Sequence, residues 1–159
     1  MNQKKLLKFI AKAHRNTYAA PKEIKAKYKC KKPILPGHKD YEFIDGDFIY
    51  HDSYSGWKMA PGKEVIFYKN KPVWCMSYQG NVDEKLSEEF VEEIYSFLKK
   101  ALMNFKDNIP FRGLNGFKEG DFEYKFSFKG DYSYFVGRES VFYKGKEVFF
   151  QDVMGSVIK

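Results

Sequence analysis

The stretch EVIFYKNKPVW, Glu64 to Trp74, reads as a β-hairpin, and ESVFYKGKEVF, Glu139 to Phe149, repeats it 75 residues later. The turn positions agree physically. Asn70 in one copy stands where Gly145 stands in the other, and these residue types best tolerate the positive φ of a tight hairpin. Upstream, GDFIYHDSYSG (Gly46 to Gly56) aligns with GDFEYKFSFKG (Gly120 to Gly130) at an offset of 74. The expectation is an α+β fold made of a duplicated helix-plus-antiparallel-strands unit. Two helices would pack on antiparallel sheet about a pseudo-twofold axis. Residues 1–159 would form one domain with internal repeats over 1–80 and 81–159. A half of this size buries too little apolar surface to be comfortable alone, so pairing would complete the core.

The helices come from periodicity. Leu6, Phe9, Ile10 and Ala13 fall on one face and predict a helix over about residues 3–18. Leu86, Phe90, Ile94, Phe97, Leu98, Ala101, Leu102 and Phe105 form a longer apolar stripe with Glu88, Glu89, Glu92 and Glu93 off it. Asp83 or Ser87 can cap that helix, Lys99 and Lys100 suit its C-terminal end, and Pro110 follows its stop. Between Ala19 and Lys39 stand Pro21, Pro33, Pro36, Gly37 and seven basic residues, which predict a long loop.

Charge is unevenly spread. Residues 1–39 hold twelve of the 28 Lys+Arg and one of the 21 acids, a net of +11, against −4 for the remainder. Such an arm suits phosphates or another anionic surface. Within it Lys22, Lys25, Lys27, Lys29, Lys31 and Lys32 interleave with Tyr28, a strip able to contact nucleic acid with one stacking residue. Cys30 and Cys75 provide neither a disulfide framework nor metal-ligand spacing. No apolar run approaches the roughly 18 residues of a membrane helix, and Lys8 and Lys12 interrupt any leader-like core. A cytoplasmic protein with no metal, no cofactor and no membrane partner is expected, as monomer or homodimer.

The two copies differ where function is sought. In the second, Phe122, Tyr124, Phe126 and Phe128 make an all-aromatic strand face; in the first the same face carries Phe48, Tyr50, Asp52 and Tyr54. A carboxylate among aromatics is costly unless partnered, and polar anchors in aromatic surroundings are how small-molecule sites are built. The first copy also holds both tryptophans, Trp57 and Trp74, and Tyr78 shares a strand face with Trp74. Tyr50, Asp52, Tyr54, Trp57, Glu64, Trp74 and Tyr78 are therefore the candidate ligand-binding residues. Glu64 and Glu139 are equivalent acids, suited to a structural role or to facing one another around a cation. His51 lies on the strand face opposite Asp52, so the two form no dyad.

The runs PGHKDYEF, GDFIYHDSYSGW, GKEVIFYKNKPVWCMSYQG and IPFRG resemble a bacterial domain family of unknown function. Members stand alone or behind helix-turn-helix DNA-binding domains in transcriptional regulators. The resemblance implies a sensor or effector role without specifying chemistry, and this chain shows no DNA-reading motif of its own. The leading expectation is a small-molecule-binding domain. The alternatives are a nucleic-acid or protein adaptor working through residues 1–39, and a hydrolase using Asp52 and Glu64 as paired carboxylates. No catalytic signature is present in the residues.

Overall fold

The computed structural model describes residues 2–104 and 112–159. Phe105, Pro110 and residues 109–111 of the IPFRG run lie outside the described residues. The chain runs α1 (Gln3–His14), α2 (Lys22–Lys25), β1 (Lys39–Asp45), β2 (Phe48–Tyr54), β3 (Gly62–Tyr68), β4 (Lys71–Val82), α3 (Glu88–Met103), β5 (Lys118–Glu119), β6 (Phe122–Asp131), β7 (Tyr134–Tyr143) and β8 (Lys146–Val157). All eight strands form one antiparallel sheet in the order β1-β2-β3-β4-β8-β7-β6-β5.

This corrects the expected fold class. The molecule is mostly antiparallel sheet and only 21% helical, not two helices packed on duplicated units. The physical reason is the pairing of β4 with β8, unbroken from Trp74↔Val157 to Val82↔Phe149. That ladder merges the strands into one continuous surface. The segments leading into the strands also differ: α1 is followed by α2 and a loop clamped to the sheet, whereas α3 is a single 16-residue helix.

Turn chemistry explains the hairpins. Lys69 and Asn70 have φ of 51° and 62° between β3 and β4, and Lys144 and Gly145 have 49° and 81° between β7 and β8. Two consecutive positive φ values match the right-handed twist of the flanking strands. Ser87 caps α3, its hydroxyl accepting from the Phe90 amide at 3.3 Å.

The residues expected to form a long loop are partly ordered as an edge. Lys29 bridges to Tyr41, the Cys30 amide donates to the Asp40 carbonyl (2.9 Å), and Tyr28 accepts from the Glu42 amide (2.8 Å). The buried Asp40 carboxylate organises this clamp. It accepts from the Ile34 amide (2.9 Å) and the Ser53 hydroxyl (2.8 Å), with His51 Nε2 at 3.2 Å. Burial pushes its pKa up, but these hydrogen bonds outweigh burial and hold it below the ordinary value. An edge strand left bare would invite pairing with other chains, and the clamp covers it.

One apolar cluster fills the inner sheet face. It joins Phe43, Tyr50, Ile66, Trp74, Met76, Tyr124, Phe135 and Phe149 to Leu6, Phe9 and Ile10 of α1 and Val91, Ile94, Phe97 and Leu98 of α3. Gly80 sits at the β4–β8 seam. A Cβ there would lie 2.0 Å from the Phe150 carbonyl oxygen and 2.5 Å from Gln151 Cα, both backbone atoms that cannot step aside. Gly80→Ala is expected to cost about 3 kcal/mol, at the upper end of overpacking penalties. Urea unfolding should show this as a lower midpoint with unchanged slope.

Candidate functional site

Alternation along β2 turns Tyr50, Asp52 and Tyr54 inward, and register places Asp52 directly opposite Glu64 of β3. Such partners have Cβ atoms about 5 Å apart, so two carboxyl groups share one patch of core. Both are buried, at 2% and 4% exposure. Tyr78 of β4 donates its hydroxyl to Asp52 Oδ1 at 2.6 Å, supplying the partner that the sequence demanded. Gly62 makes this reach possible, since a Cβ there would sit 2.4 Å from the Tyr78 ring. On the other side His14, at the end of α1, meets Glu64 Oε2 through Nε2 at 2.8 Å.

Arg112 is the central cation. Its Nε donates to Glu139 Oε2 at 3.0 Å and its Nη2 donates to Glu139 Oε1, a bidentate pair. Its Nη1 stands 3.9 Å from Glu64 Oε1. Tyr124 completes the glutamate's coordination, donating to Oε2 at 2.8 Å while accepting from the Gly113 amide at 3.1 Å. The two equivalent glutamates thus flank one positive charge, and that charge is the protein's own guanidinium. Burial alone would lower the Arg112 pKa; the Glu139 carboxylate more than offsets it, and the group is held above its ordinary value.

These groups border a partly enclosed chamber of about 50 Å³. Asp52, Glu64, Tyr78 and Arg112 form its polar side together with Gln151 of β8; Tyr18, Tyr54, Tyr95, Leu98 and Phe149 form the rest. Gln151 is 7% exposed as a residue; its side-chain amide makes no hydrogen bond to any described residue and stays accessible from the chamber. Outside lies a cleft of about 450 Å³ that shares Tyr18, Tyr54, Ala60 and Tyr95 with the chamber. One stripe of α3, Glu92, Tyr95, Ser96 and Lys99 at helical spacing, forms its floor. Trp57 forms a wall, held by the Tyr95 hydroxyl donating to the Trp57 carbonyl at 2.6 Å.

Of the seven expected ligand-binding residues, Asp52, Tyr54, Glu64 and Tyr78 converge on the chamber and Trp57 on the cleft. Tyr50 and Trp74 do not line either. Tyr50 lies behind the carboxyl pair, 1% exposed, with its ring edge against His14. Trp74 is a core residue at 0% exposure, its Nε1 donating to the Tyr132 carbonyl at 3.0 Å. Arg112, Gln151, Tyr18, Tyr95, Lys39 and Lys99 were not singled out from sequence. In the basic arm Lys22, Lys27, Lys29, Lys31 and Lys32 are exposed and Lys25 is half-buried, while Tyr28 is engaged edge-on with Phe43. A larger open groove of about 890 Å³ reaches Tyr78 from beyond the sheet, but it gathers no buried carboxyl group. No group of His, Cys, Asp and Glu among the described residues is placed to hold a metal ion. None of their helices is long and apolar enough to cross a membrane.

Residues 52–158 match the family model described as a domain of unknown function, DUF5680. The chain belongs to this family. No curated protein and no solved structure matches it. The matched DUF5680 segment begins at Asp52 itself and spans β2 to β8, so it contains the carboxyl pair, Tyr78, Arg112 and Gln151 but not α1, Tyr18 or β1.

Burial, and then the neighbouring Glu64, raise the Asp52 pKa well above the ordinary aspartate value. The unfolded carboxyl titrates near 3.8, so above that pH the native state retains a proton that the unfolded chain has released. Native stability therefore falls as pH rises through this window. Asp52→Asn keeps the acceptor for Tyr78 and removes the penalty. Thermal unfolding should show the variant gaining on the parent protein steadily from pH 4 to pH 8. Arg112→Met strands the Glu139 charge and is expected to cost about 3–5 kcal/mol; adding Glu139→Gln should restore a large part of it in denaturant titrations.

Proposed function

We propose that this DUF5680 protein binds a small molecule whose polar head enters the chamber while its body occupies the aromatic cleft. The observation that carries this reading is Gln151, a largely buried residue whose amide stays accessible from the chamber, with unused hydrogen-bonding capacity beside the Asp52–Glu64 pair. An amide that is open to the chamber and makes no hydrogen bond to a described residue is available to a polar ligand group. The two carboxyl groups favour a head rich in donors, such as an amine or hydroxyl. Cleft and chamber together fall within the usual volume range of ligand sites.

Size argues for binding over hydrolysis. A chamber of about 50 Å³ holds a few waters or a small head group, and a scissile bond with groups on both sides needs more room. The sensor or effector role fits the resemblance to bacterial domains carried behind helix-turn-helix regulators. The Lys22–Lys32 strip has its one aromatic residue, Tyr28, set edge-on against Phe43, which leaves the adaptor reading with charge alone.

A metabolite screen by thermal shift, followed by tryptophan fluorescence, tests the proposal. Trp57 stands in the cleft and should report occupancy, with Trp57→Phe abolishing the response. Gln151→Leu is expected to weaken binding about tenfold, the value of one hydrogen bond to a charged group, without lowering Tm. If no compound class shifts either signal, or Gln151→Leu binds as tightly as the parent, the proposal fails.

A further inference from the structure

The cleft and the chamber carry opposite charge. Inside are the acceptors Asp52, Glu64 and Gln151, with the Arg112 charge already taken by Glu139. Outside, Lys39 of β1 and Lys99 of α3 meet on the cleft wall from distant parts of the chain. Lys99 Nζ stands over the Tyr18 ring at 5.6 Å and Lys39 Nζ over the Tyr54 ring at 5.8 Å. Each ammonium therefore sits at one of the tyrosines that separate cleft from chamber. Neither makes an ion pair with a described residue, although several surface lysines elsewhere do. Glu92 is the acid on the cleft wall, and Lys25 adds a third positive charge nearby. Burial, and then the Lys25 and Lys39 charges, push the Lys99 ammonium below its ordinary value; Glu92 only partly opposes them.

We infer that the ligand is bipolar: a planar ring bearing a carboxylate or phosphate received by Lys39 and Lys99 at the mouth, and a hydrogen-bond-donating group received by Asp52, Glu64 and Gln151 within. This rests on the binding reading above and narrows it to a chemical class. With Glu92 only partly offsetting them, the lysine charges still repel, and a bound anion relieves that repulsion while orienting the ligand along the field. The ring follows from the lining, where Tyr18, Tyr54, Trp57 and Tyr95 gather four aromatic side chains. The order of polarity, positive outside and acceptor-rich inside, fixes which end enters first.

Matched probes separate the two ends. Calorimetric titration would compare 4-(aminomethyl)benzoate, 4-(aminomethyl)phenyl phosphate, benzylamine and benzoate on the full chain. Either bipolar compound is expected to bind at least tenfold more tightly than benzylamine or benzoate, and the better of the two identifies the anion. Lys39→Met combined with Lys99→Met should weaken the bipolar compound by about tenfold per lysine, leave benzylamine within twofold, and leave Tm unchanged. Gln151→Leu should weaken all three amines. If benzylamine equals the bipolar compounds, or the double lysine variant binds all probes alike, the anion assignment is overturned while binding in the chamber stands. If none of the four probes binds, the bipolar class is wrong, and the broader reading is decided separately by the metabolite screen and the Gln151 variant.

Discussion

Nine successive residue pairs between β4 and β8 join the sheet through its middle, and nearly everything else depends on that seam. It sets Gly80 against Gln151, which leaves a gap in the inner face where the chamber forms. It also brings Glu139 of β7 and Glu64 of β3 close enough to share Arg112. A sheet that ended at β4 would present Trp74, Met76 and Val82 along an open edge instead of a core. Fully burying side chains of this kind is worth about 2–3 kcal/mol each, so the ladder and the core stand or fall together.

The charged cluster is an unusual thing to place in such a core. Replacing buried ionic networks by apolar side chains is often neutral or stabilising, and Asp52 weakens the fold as pH rises. A structure that tolerates these costs at one place, next to an accessible aromatic cleft, concentrates its departures from good packing where chemistry with another molecule would occur. The contrast with Asp40 is instructive. That carboxylate is also buried, but it is engaged in fastening the basic segment to β1 and lines neither the chamber nor the cleft.

Much of the local structure was legible in the residues. Asn70 and Gly145 announced their turns, the Phe122–Phe128 alternation its strand, Ser87 its cap, and Asp52 its need for a partner. The continuity of the sheet was not legible, because matched hairpins fit two separate sheets as well as one. Trp74 was placed on the correct face, but alternation specifies direction and says nothing of depth. Arg112 stood within the IPFRG run of the family resemblance, but as a lone cation in an aperiodic stretch it gave no sign of a buried role. Tyr95 and Lys99 belong to the polar side of an amphipathic helix, where composition suggests solvent, and only the Trp57 segment lying across them makes a cleft.

The groups around the chamber come from α1, β2, β3, β4, α3, β8 and the residue that follows the undescribed segment. No hairpin or helix contains a usable fraction of it. Because the β4–β8 ladder joins residues about half the chain length apart, it is a non-local pairing of the slow-forming kind. The pocket therefore belongs to the assembled sheet as a whole, and no isolated hairpin or helix could bind through it.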